Sequence, residues 1–358
     1  MTMTFANRLR ALAVGTVTLL ATGLGAAPAT AENVEWTMAT WGGGLWLEVG
    51  GKNFANRVEM LTEGRVKINV ATPGMMGSPL KVTETVQNGL AEVGLQWAAY
   101  DQGEDSAGVP IAGWSGGLTP EEYMLWLYEG GGAELLKEWR AEKFGLVSIP
   151  CNLVETEIFL HSHKPIRTLE DFKGLKIRTA GAWAEIATDL GATTVVLPGA
   201  EVFDALERKV VDAIEWGGPG INLGAGFQNI APYIIVPGIH QPASFNECIF
   251  NKDAWDKLSE RDQQLIELAG KLNTYESFLA YANSDLDAWK TLKGSDKVEF
   301  VQLDQSFIDE ARKRSFAWAE KKAAENPWFK RVFDSQRAMQ ERLANWSEFR
   351  LPIGTTRN

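Results

Sequence analysis

Two early segments of the chain, "VEWTMAT" (34–40) and "RVKINVAT" (65–72), alternate between apolar and polar residues. This period of two predicts β-strands. Between them, residues 47–61 carry apolar side chains near helical spacing, and "LKVTETVQNGL" predicts a second helix before the strand "EVGLQW". Strand, helix, strand, helix, strand is the order typical of a mostly parallel sheet. The pattern therefore predicts an α/β unit in this part of the chain.

The same order of elements returns further along the chain. The segments "LKIRTA", "TTVVL" and "VVDAIEW" predict strands, and "WAEIATDLG" and "EVFDALER" predict the helices between them. On the first of these helices, Trp183, Ile186, Ala187 and Leu190 share one face. The sequence thus predicts two similar α/β halves.

Long helical patterns rich in Ala, Glu, Lys and Arg begin near Ser259. Ser259 precedes "ERD" and has the position of a helix N-cap. Two further helices are predicted in "SFIDEARKRSFAWAEKKAAEN" and "FKRVFDSQRAMQERLANW", separated at Asn326-Pro327, because a residue before proline disfavours the helical conformation. The C-terminal part of the chain is therefore expected to be helical.

The first residues have the composition of an export signal. Arg8 and Arg10 precede the apolar run "ALAVGTVTLLATGLGAA", and the small residues Ala29 and Ala31 follow it. This arrangement predicts a secretory signal peptide, residues 1–31, cleaved before Glu32. Since no later segment resembles an uninterrupted apolar span of about 20 residues, we expect an exported, periplasmic and soluble mature chain.

Charge and cysteine content narrow the partners and the chemistry. The full chain has a net charge of −11, and removal of the two signal-peptide arginines makes the mature chain still more acidic. Nucleic acid is therefore not an expected partner. The two cysteines, Cys151 and Cys248, both lie in apolar stretches. We expect them to be buried and unpaired rather than bridged, although an oxidising compartment would permit a disulfide.

Motifs of enzymatic catalysis are absent from the sequence. It contains no phosphate-binding GxxxxGKS loop, no GxSxG elbow, and no HExxH or CxxC pattern. His161 and His163 could face one way on a strand as a metal pair, but we favour exposed loop histidines before Lys164-Pro165. A secreted metal-assisted hydrolase using Glu157 and Glu215 remains the rival class. We expect no enzyme activity.

Two polar residues end predicted strands in the second half. Arg178 ends "KGLKIR" and could hold a carboxylate through two parallel hydrogen bonds, or could form an internal salt bridge. Glu215 ends the strand of "VDAIEWGGPGIN", beside Trp216. Taken alone, Glu215 could be a cation ligand or a partner for Arg178, but a solvated strand end is the expected role.

A family resemblance follows from "FKGLKIRTAG", "EVFDALERKVVDAIEWGGP", "YIIVPG" and "FNKDAWDKLS". Together they resemble the extracytoplasmic solute receptors of tripartite ATP-independent periplasmic (TRAP) transporters, in particular the branch that binds 2-oxo and 2-hydroxy monocarboxylates. The resemblance implies an α/β, two-lobed periplasmic binding protein with hinge strands and long C-terminal helices. It implies the following boundaries: lobe I, 32–153 plus 242–303; lobe II, 154–241; C-terminal helices packing across the lobes, 304–358.

The resemblance also assigns a ligand and an ion to particular residues. It implies that Arg178 holds the substrate carboxylate, and that a sodium or calcium ion is held by Glu215, the carbonyl of Trp216, Glu157 and Gln241. The family pattern has glutamine where this chain has Glu157 and an acid where it has Gln241, so carboxylate and amide are exchanged. If the alignment with the family pattern shifts by one residue, His240 instead of Gln241 takes the position of the family's acid. Without a metal, Glu157 or Glu215 would instead pair with a ligand amine.

Aromatic residues that follow predicted strands supply an apolar wall for a small ligand. Trp41 follows the first strand, and Trp97 and Tyr100 follow the third. The expected ligand-binding residues are Arg178, Trp216, Glu157, Trp97, Trp41, Asn222, Tyr100 and His240. The expected partners are a small carboxylate, the TRAP membrane permease and a second copy of the chain in a homodimer. A zwitterionic ligand, or a larger aromatic or sugar-type carboxylate without metal, is the alternative.

Overall fold

The computed structural model describes residues 33–347 and 349. The predicted signal peptide and the last residues of the predicted C-terminal segment lie outside the described residues. Among the described helices, none is long and apolar enough to cross a membrane.

The first sheet has five strands in the order β2-β1-β3-β10-β4. Strand β1 is parallel to β2 and β3, whereas β10 is antiparallel to β3 and β4. The predicted strands at 34–40, 65–72 and 92–97 are therefore present as a parallel unit. The strands are β1 Val34–Thr40, β2 Val66–Val70, β3 Val93–Gln96, β4 Leu146–Val154 and β10 Ser244–Asn251.

The second sheet has six strands in the order β11-β9-β5-β8-β6-β7. It contains the three strands predicted in the second α/β half. Strand β11 pairs with β9 in parallel, so its residues lie in the second sheet although the sequence-based boundary at 303 grouped them with lobe I. The strands are β5 Leu160–Ser162, β6 Lys176–Arg178, β7 Thr193–Val195, β8 Ala213–Ile214, β9 Tyr233–Val236 and β11 Glu299–Gln302.

Thirteen α-helices accompany the sheets in the described part of the chain. The predicted helix at 47–61 is present as a π-helical segment, Trp46–Lys52, that runs into α1. Helices α4 and α5 were not predicted. The helices are α1 Asn53–Leu61, α2 Val82–Gln87, α3 Gly108–Ala112, α4 Pro120–Glu129, α5 Gly132–Phe144, α6 Leu169–Phe172, α7 Gly181–Asp189, α8 Gly199–Glu207, α9 Pro219–Ala225, α10 Lys252–Trp255, α11 Glu260–Lys293, α12 Gln305–Glu325 and α13 Pro327–Ser347.

The local signals at the C-terminal helices are confirmed. The side chain of Ser259 accepts a hydrogen bond from the backbone N–H of Asp262, which is N-capping of α11. Helix α12 ends at Glu325, and α13 begins at Pro327. Helix α12 contacts α7, beside the second sheet, whereas α13 contacts α3, α4 and α5, beside the first.

Two short segments carry the chain between the sheets, and a third crossing runs through α11 from β10 to β11. Residues 155–159 connect β4 to β5, and residues 237–243 connect β9 to β10. The backbone N–H of Glu157 donates to the carbonyl of Gln241 at 3.2 Å, so the two segments lie side by side. Helix α11 packs on β4 and on α9. The chain therefore has the expected two-lobed architecture, with crossings short enough to act as hinges.

The expectation of unpaired cysteines is wrong. Cys151 on β4 and Cys248 on β10 form a disulfide, with Cα atoms 5.3 Å apart. The two strands are antiparallel neighbours, and a register shift at Asn246/Glu247 places the two cysteines together. Because the cysteines are 97 residues apart in sequence, their apolar surroundings indicated burial but could not indicate their distance.

The expectation of exposed loop histidines is also wrong. His161 is on β5, buried, and its ring packs against Phe227 with 5.6 Å between centroids. Burial lowers the pKa of His161 to about 3, so its imidazole is neutral. His163 is partly buried, and its Nε2 lies 2.8 Å from the carbonyl of Leu206. Neither histidine belongs to a group of metal-ligating side chains within the described residues.

Candidate functional site

Arg178 lies at the C-terminal end of β6 with its side chain almost completely buried. Its Nε and one terminal nitrogen donate to the carbonyl of Leu197, at 3.3 and 3.0 Å. The other terminal nitrogen donates to the carbonyl and to Oε1 of Glu215, at 3.2 and 3.3 Å. The guanidinium also lies over the Trp216 ring, 4.8 Å from its centroid. The internal salt bridge considered for Arg178 is therefore present and fixes the orientation of the guanidinium.

Glu215 directly follows β8 and is buried, not a solvated strand end. Its Oε1 accepts hydrogen bonds from the backbone N–H of Ala180 at 3.0 Å and from Arg178. Burial opposes ionisation of this carboxyl, but His240 and Arg178 outweigh it and lower the pKa of Glu215. The carboxylate thus stays charged and anchors the end of the second sheet to the arginine.

Glu157 and His240 face each other from the two crossing segments. The Nε2 of His240 lies 3.1 Å from Oε2 of Glu157 and 3.7 Å from Oε2 of Glu215. Burial and the Glu215 charge raise the pKa of Glu157 to about 7, although His240 opposes this. Burial disfavours the imidazolium, but the two carboxylates outweigh it and raise the pKa of His240 to about 9. The hinge region therefore contains a buried, charged cluster.

Among the acidic, histidine and cysteine side chains of the described residues, Glu157, Glu215 and His240 form a group able to ligate a metal, with their ligand atoms within 4.8 Å of one another. Gln241 faces the same region, but its Nε2 points to the carbonyl of Ala112 at 3.4 Å. Two carboxylates and one imidazole suit a divalent cation that accepts mixed oxygen and nitrogen ligands. The residues therefore fit a cation that displaces the proton of His240, with the predicted ligand Gln241 in the same lining.

Aromatic side chains form the opposite wall. Trp41 lies 6.4 Å from Trp97, 5.7 Å from Tyr100 and 6.5 Å from Trp216, measured between ring centroids. The indole N–H of Trp41 donates to Asn246 at 2.6 Å, and that of Trp97 donates to Ala112 at 3.3 Å. Because these hydrogen bonds fix the rings, the wall is a preformed apolar surface facing Arg178.

These residues enclose a small central cavity of about 20 Å³. Nine of the ten sequence-predicted site residues line it: Trp41, Trp97, Tyr100, Glu157, Arg178, Glu215, Trp216, His240 and Gln241. The exception is Asn222, which is buried on α9 and does not line the cavity. Sequence reasoning missed three lining residues, Ala180, Trp183 and Ser244.

Trp183 had been predicted only as part of the apolar face of α7. It is buried, and its ring lies 5.6 Å from Phe159 and 6.1 Å from His240 between centroids. Its indole N–H has no hydrogen-bond partner within the described chain. An unpartnered buried donor beside a cavity is a candidate ligand contact. The sequence feature that could have indicated this role is the position of Trp183 in the first turn of α7, shortly after Arg178.

The glycines after Trp216 serve a close contact between helices. A Cβ atom on Gly218 would lie 2.7 Å from Oδ2 of Asp285, and one on Gly220 would lie 2.2 Å from Oγ of Ser284. Pro219 is the first residue of α9, where its fixed φ suits the helix. The backbone N–H of Gly220 donates to Asp285 at 2.7 Å. The "WGGPG" turn therefore joins the site to α11.

Two α/β lobes joined by short segments, with a buried arginine and a buried acidic cluster at their junction, define the class of solute-binding receptors. Residues 46–326 match the family described as bacterial extracellular solute-binding protein, family 7. Since this match covers most of the chain, the chain belongs to that family. Its members are substrate-binding receptors of transporters rather than enzymes, which excludes the hydrolase alternative.

Similar proteins extend over nearly the whole chain. The monocarboxylate 2-oxoacid-binding periplasmic protein of Nostoc sp. is 29% identical over 347 residues, 94% of this chain and 93% of the relative. The structure of a TRAP periplasmic solute-binding protein from Pseudoalteromonas atlantica, with bound sodium and pyruvate, is 28% identical with a TM-score of 0.83, covering 89% of this chain and 97% of that chain. One from Colwellia psychrerythraea, with bound calcium and pyruvate, is 26% identical with the same TM-score and coverage.

Proposed function

We propose that this protein is a periplasmic receptor that captures a small organic monocarboxylate, a 2-oxo or 2-hydroxy acid, and delivers it to a TRAP membrane permease. The names of the Nostoc relative and of the two pyruvate-bound structures support this ligand class. The observation that carries the proposal is the position of Arg178, which is almost completely buried, oriented by Glu215 and Leu197, and faces the central cavity.

In the proposed complex, Arg178 binds the ligand carboxylate through guanidinium hydrogens that its internal bonds leave available. The salt bridge to Glu215 and the bonds to Leu197 hold the planar group in one orientation, so little side-chain entropy is lost on binding. The apolar wall of Trp41 and Trp97 excludes water from this contact. Exclusion of water strengthens the charge interaction, because the effective dielectric constant falls.

A cation completes the proposed site. Glu157 and Glu215 would hold it with His240, and the backbone carbonyl of Trp216 remains the proposed fourth ligand. Sodium and calcium are the ions in the two pyruvate-bound structures. The cation supplies positive charge to the ligand oxygens. Because imidazole is an uncommon ligand for hard ions, His240 also makes manganese or zinc worth testing.

Closure of the two lobes is the proposed mechanism of capture. Lobe I comprises 32–153 plus most of 242–303, lobe II comprises 154–241, and β11 joins lobe II because it pairs with β9. Glu157 and His240 lie on the two crossing segments, whereas Trp41 and Arg178 come from opposite lobes. A ligand that touches all of these groups would favour the closed arrangement over the open one.

The proposed cellular location and oligomeric state of the protein follow from its class, the solute-binding receptors. The predicted signal peptide, residues 1–31, would export the chain to the periplasm, where the family acts. We also propose that two copies of the chain form a homodimer through their C-terminal helices. Size-exclusion chromatography with light scattering would report its mass directly.

Isothermal titration calorimetry with pyruvate tests the role of Arg178. We expect Arg178→Ala to weaken binding by roughly tens to thousands of fold, because loss of one partner of a buried charge pair costs about 2–5 kcal/mol. Arg178→Lys keeps the charge and loses the planar fork, so it should also bind weakly. Arg167→Ala, at an exposed arginine of lobe II, is the matched control. Unchanged affinity in a folded Arg178→Ala protein would refute the assignment.

Thermal-shift measurements with pyruvate in sodium, calcium, manganese, zinc and a chelator test the ion. We expect stabilisation by the ligand to depend on the ion present, because the cation offsets the charge of Glu157 and Glu215. Elemental analysis of the purified protein gives an independent readout. Equal ligand stabilisation in every ion and in the chelator would remove the cation from the proposal.

A further inference from the structure

A second, larger cavity adjoins the central cavity. Its volume is about 860 Å³, and Trp41 and Trp216 line both spaces. We call this second cavity the apolar chamber. Trp46 lies 4.8 Å from Trp41 and 5.1 Å from Trp216 between ring centroids. The partition between the two cavities is therefore built from indole side chains and not from main chain.

Apolar side chains dominate the lining of this chamber. One side comes from the segments after β1 and β2, and the other from α8, α9 and the segment after α9. Representative residues are Leu45, Pro73, Pro198, Phe203, Ile221 and Phe227. Within the described residues, Glu201 is the one charged residue of the lining, and no lysine, arginine or histidine contributes. Such a surface offers burial to hydrocarbon and few hydrogen bonds to hydroxyl groups.

The central cavity alone is too small for a substituted carboxylate. A volume of about 20 Å³ holds about one water molecule. A ligand whose carboxylate binds Arg178 must therefore extend past the indole partition, and the adjoining space is the apolar chamber. Its volume lies within the range of about 300–1,000 Å³ common for small-molecule sites.

We infer that the apolar chamber binds the tail of the ligand, an inference that rests on the proposed function. The receptor therefore selects monocarboxylates with an extended aliphatic or aromatic substituent over pyruvate, dicarboxylates and sugar acids. A second carboxylate would lose water in this lining without gaining a cationic partner, and the solvent-exposed Glu201 adds repulsion. The apolar lining acts against sugar acids, whose hydroxyl groups would lose water without gaining partners.

A chain-length series measured by calorimetry tests the inference. The ligands are pyruvate and the linear 2-oxo acids of four, six and eight carbons, under the ion condition that supports pyruvate binding. We expect affinity to rise about three- to fourfold for each methylene buried. A series of equal affinities, with pyruvate bound as tightly as the longest acid, would overturn the inference and leave the proposed function intact.

A variant that fills the chamber locates the effect. A Cβ atom on Gly224, in α9, meets no atom within 4 Å, so Gly224→Phe can place a ring in the chamber without a backbone clash. We expect it to lower affinity for the eight-carbon acid at least tenfold more than affinity for pyruvate, whose single methyl group reaches less far into the chamber. Gly103→Phe, at an equally open position outside the chamber, is the matched control. Equal losses for both ligands, or none for either, would contradict the assigned location.

A pair of six-carbon ligands tests the role of charge. We expect 2-oxohexanoate to bind at least 100-fold more tightly than the corresponding dicarboxylate, 2-oxohexanedioate. Glu201→Lys should narrow that difference at least threefold, since it replaces repulsion by attraction. Equal binding of the two acids by the wild-type protein would refute the charge selectivity. Failure of every monocarboxylate to bind would instead refute the proposed function.

Discussion

Burial changes the roles that single residues have in this site. Arg178 and Glu215 each look, from sequence, able to serve a ligand alone, yet in the structure they bind each other as well as facing the cavity. A buried arginine without Glu215 would be an uncompensated charge. The pair therefore makes Arg178 tolerable inside the protein and leaves part of its guanidinium for a ligand. Trp183 is the complementary case, a buried donor without an internal partner.

We predict that Trp183→Phe weakens ligand binding about 5- to 50-fold, because it removes one hydrogen bond to an anionic ligand. Calorimetry with pyruvate measures the change. Trp139→Phe is the control, since the Trp139 indole N–H is also buried without a partner in the described structure but lies away from the cavity. The two variants should lose similar stability. If both bind pyruvate as the wild type does, the Trp183 indole is not a ligand donor.

Helices α9 and α11 depend on each other for their close contact. Gly218 and Gly220 let the first turn of α9 approach Asp285 and Ser284, and Asp285 accepts the Gly220 N–H. Burial, together with the Glu155 charge, raises the pKa of Asp285 to about 7 despite that hydrogen bond. The contact between α9 and α11 therefore favours the neutral form of the Asp285 carboxyl more than water does.

The raised pKa of Asp285 predicts how the free energy of unfolding changes with pH. The folded protein binds more protons than the unfolded chain between about pH 4 and 7, so this group's contribution to stability is lost as pH rises through that window. Asp285→Asn cannot ionise and can still accept the Gly220 N–H. We predict that it is stabler than wild type by about 1–3 kcal/mol at pH 8 and similar at pH 4. Urea unfolding at both pH values measures this; an equal difference at both would contradict it.

At the scale of the whole molecule, two sheets are joined through short crossings that also carry site residues. The Cys151–Cys248 bridge links β4 and β10 and so closes the chain around most of the second lobe. Helix α11 packs on β4 and α9, and therefore touches both sides of the hinge. The bridge therefore ties together β4 and β10, the two strands next to the short crossings, and the helix packs on the first of them.

We predict that the double variant Cys151→Ala/Cys248→Ala loses about 2–5 kcal/mol of unfolding free energy, because the bridge closes a long loop in the unfolded chain. At roughly room temperature, where both proteins are folded, the affinity for pyruvate should change less than threefold, since neither sulfur lines the cavity. Urea unfolding and calorimetry measure the two quantities. A loss of affinity without a loss of stability would place the bridge in ligand binding instead.

Local structure and the residue types of the site could be predicted from the sequence. Alternation and helical spacing predicted the β1–β3 unit and the α7 face, and Ser259 and Pro327 predicted helix ends. The aromatic residues after the first and third strands, together with the family motif around Arg178 and Glu215, pointed to nine of the residues that line the cavity. These features are readable because each depends on neighbours a few residues away, or on a motif kept in one segment.

Contacts between residues that are distant in sequence could not be predicted and became visible in the folded chain. The register of β4 and β10 joined Cys151 to Cys248, and the meeting of the two crossing segments put the His240 imidazole between Glu157 and Glu215. The packing of α9 buried Asn222 away from the cavity, and the approach of the two lobes formed the apolar chamber. Each of these depends on contacts between residues far apart in the chain, whose distances are set by packing of whole elements and leave no local pattern in sequence.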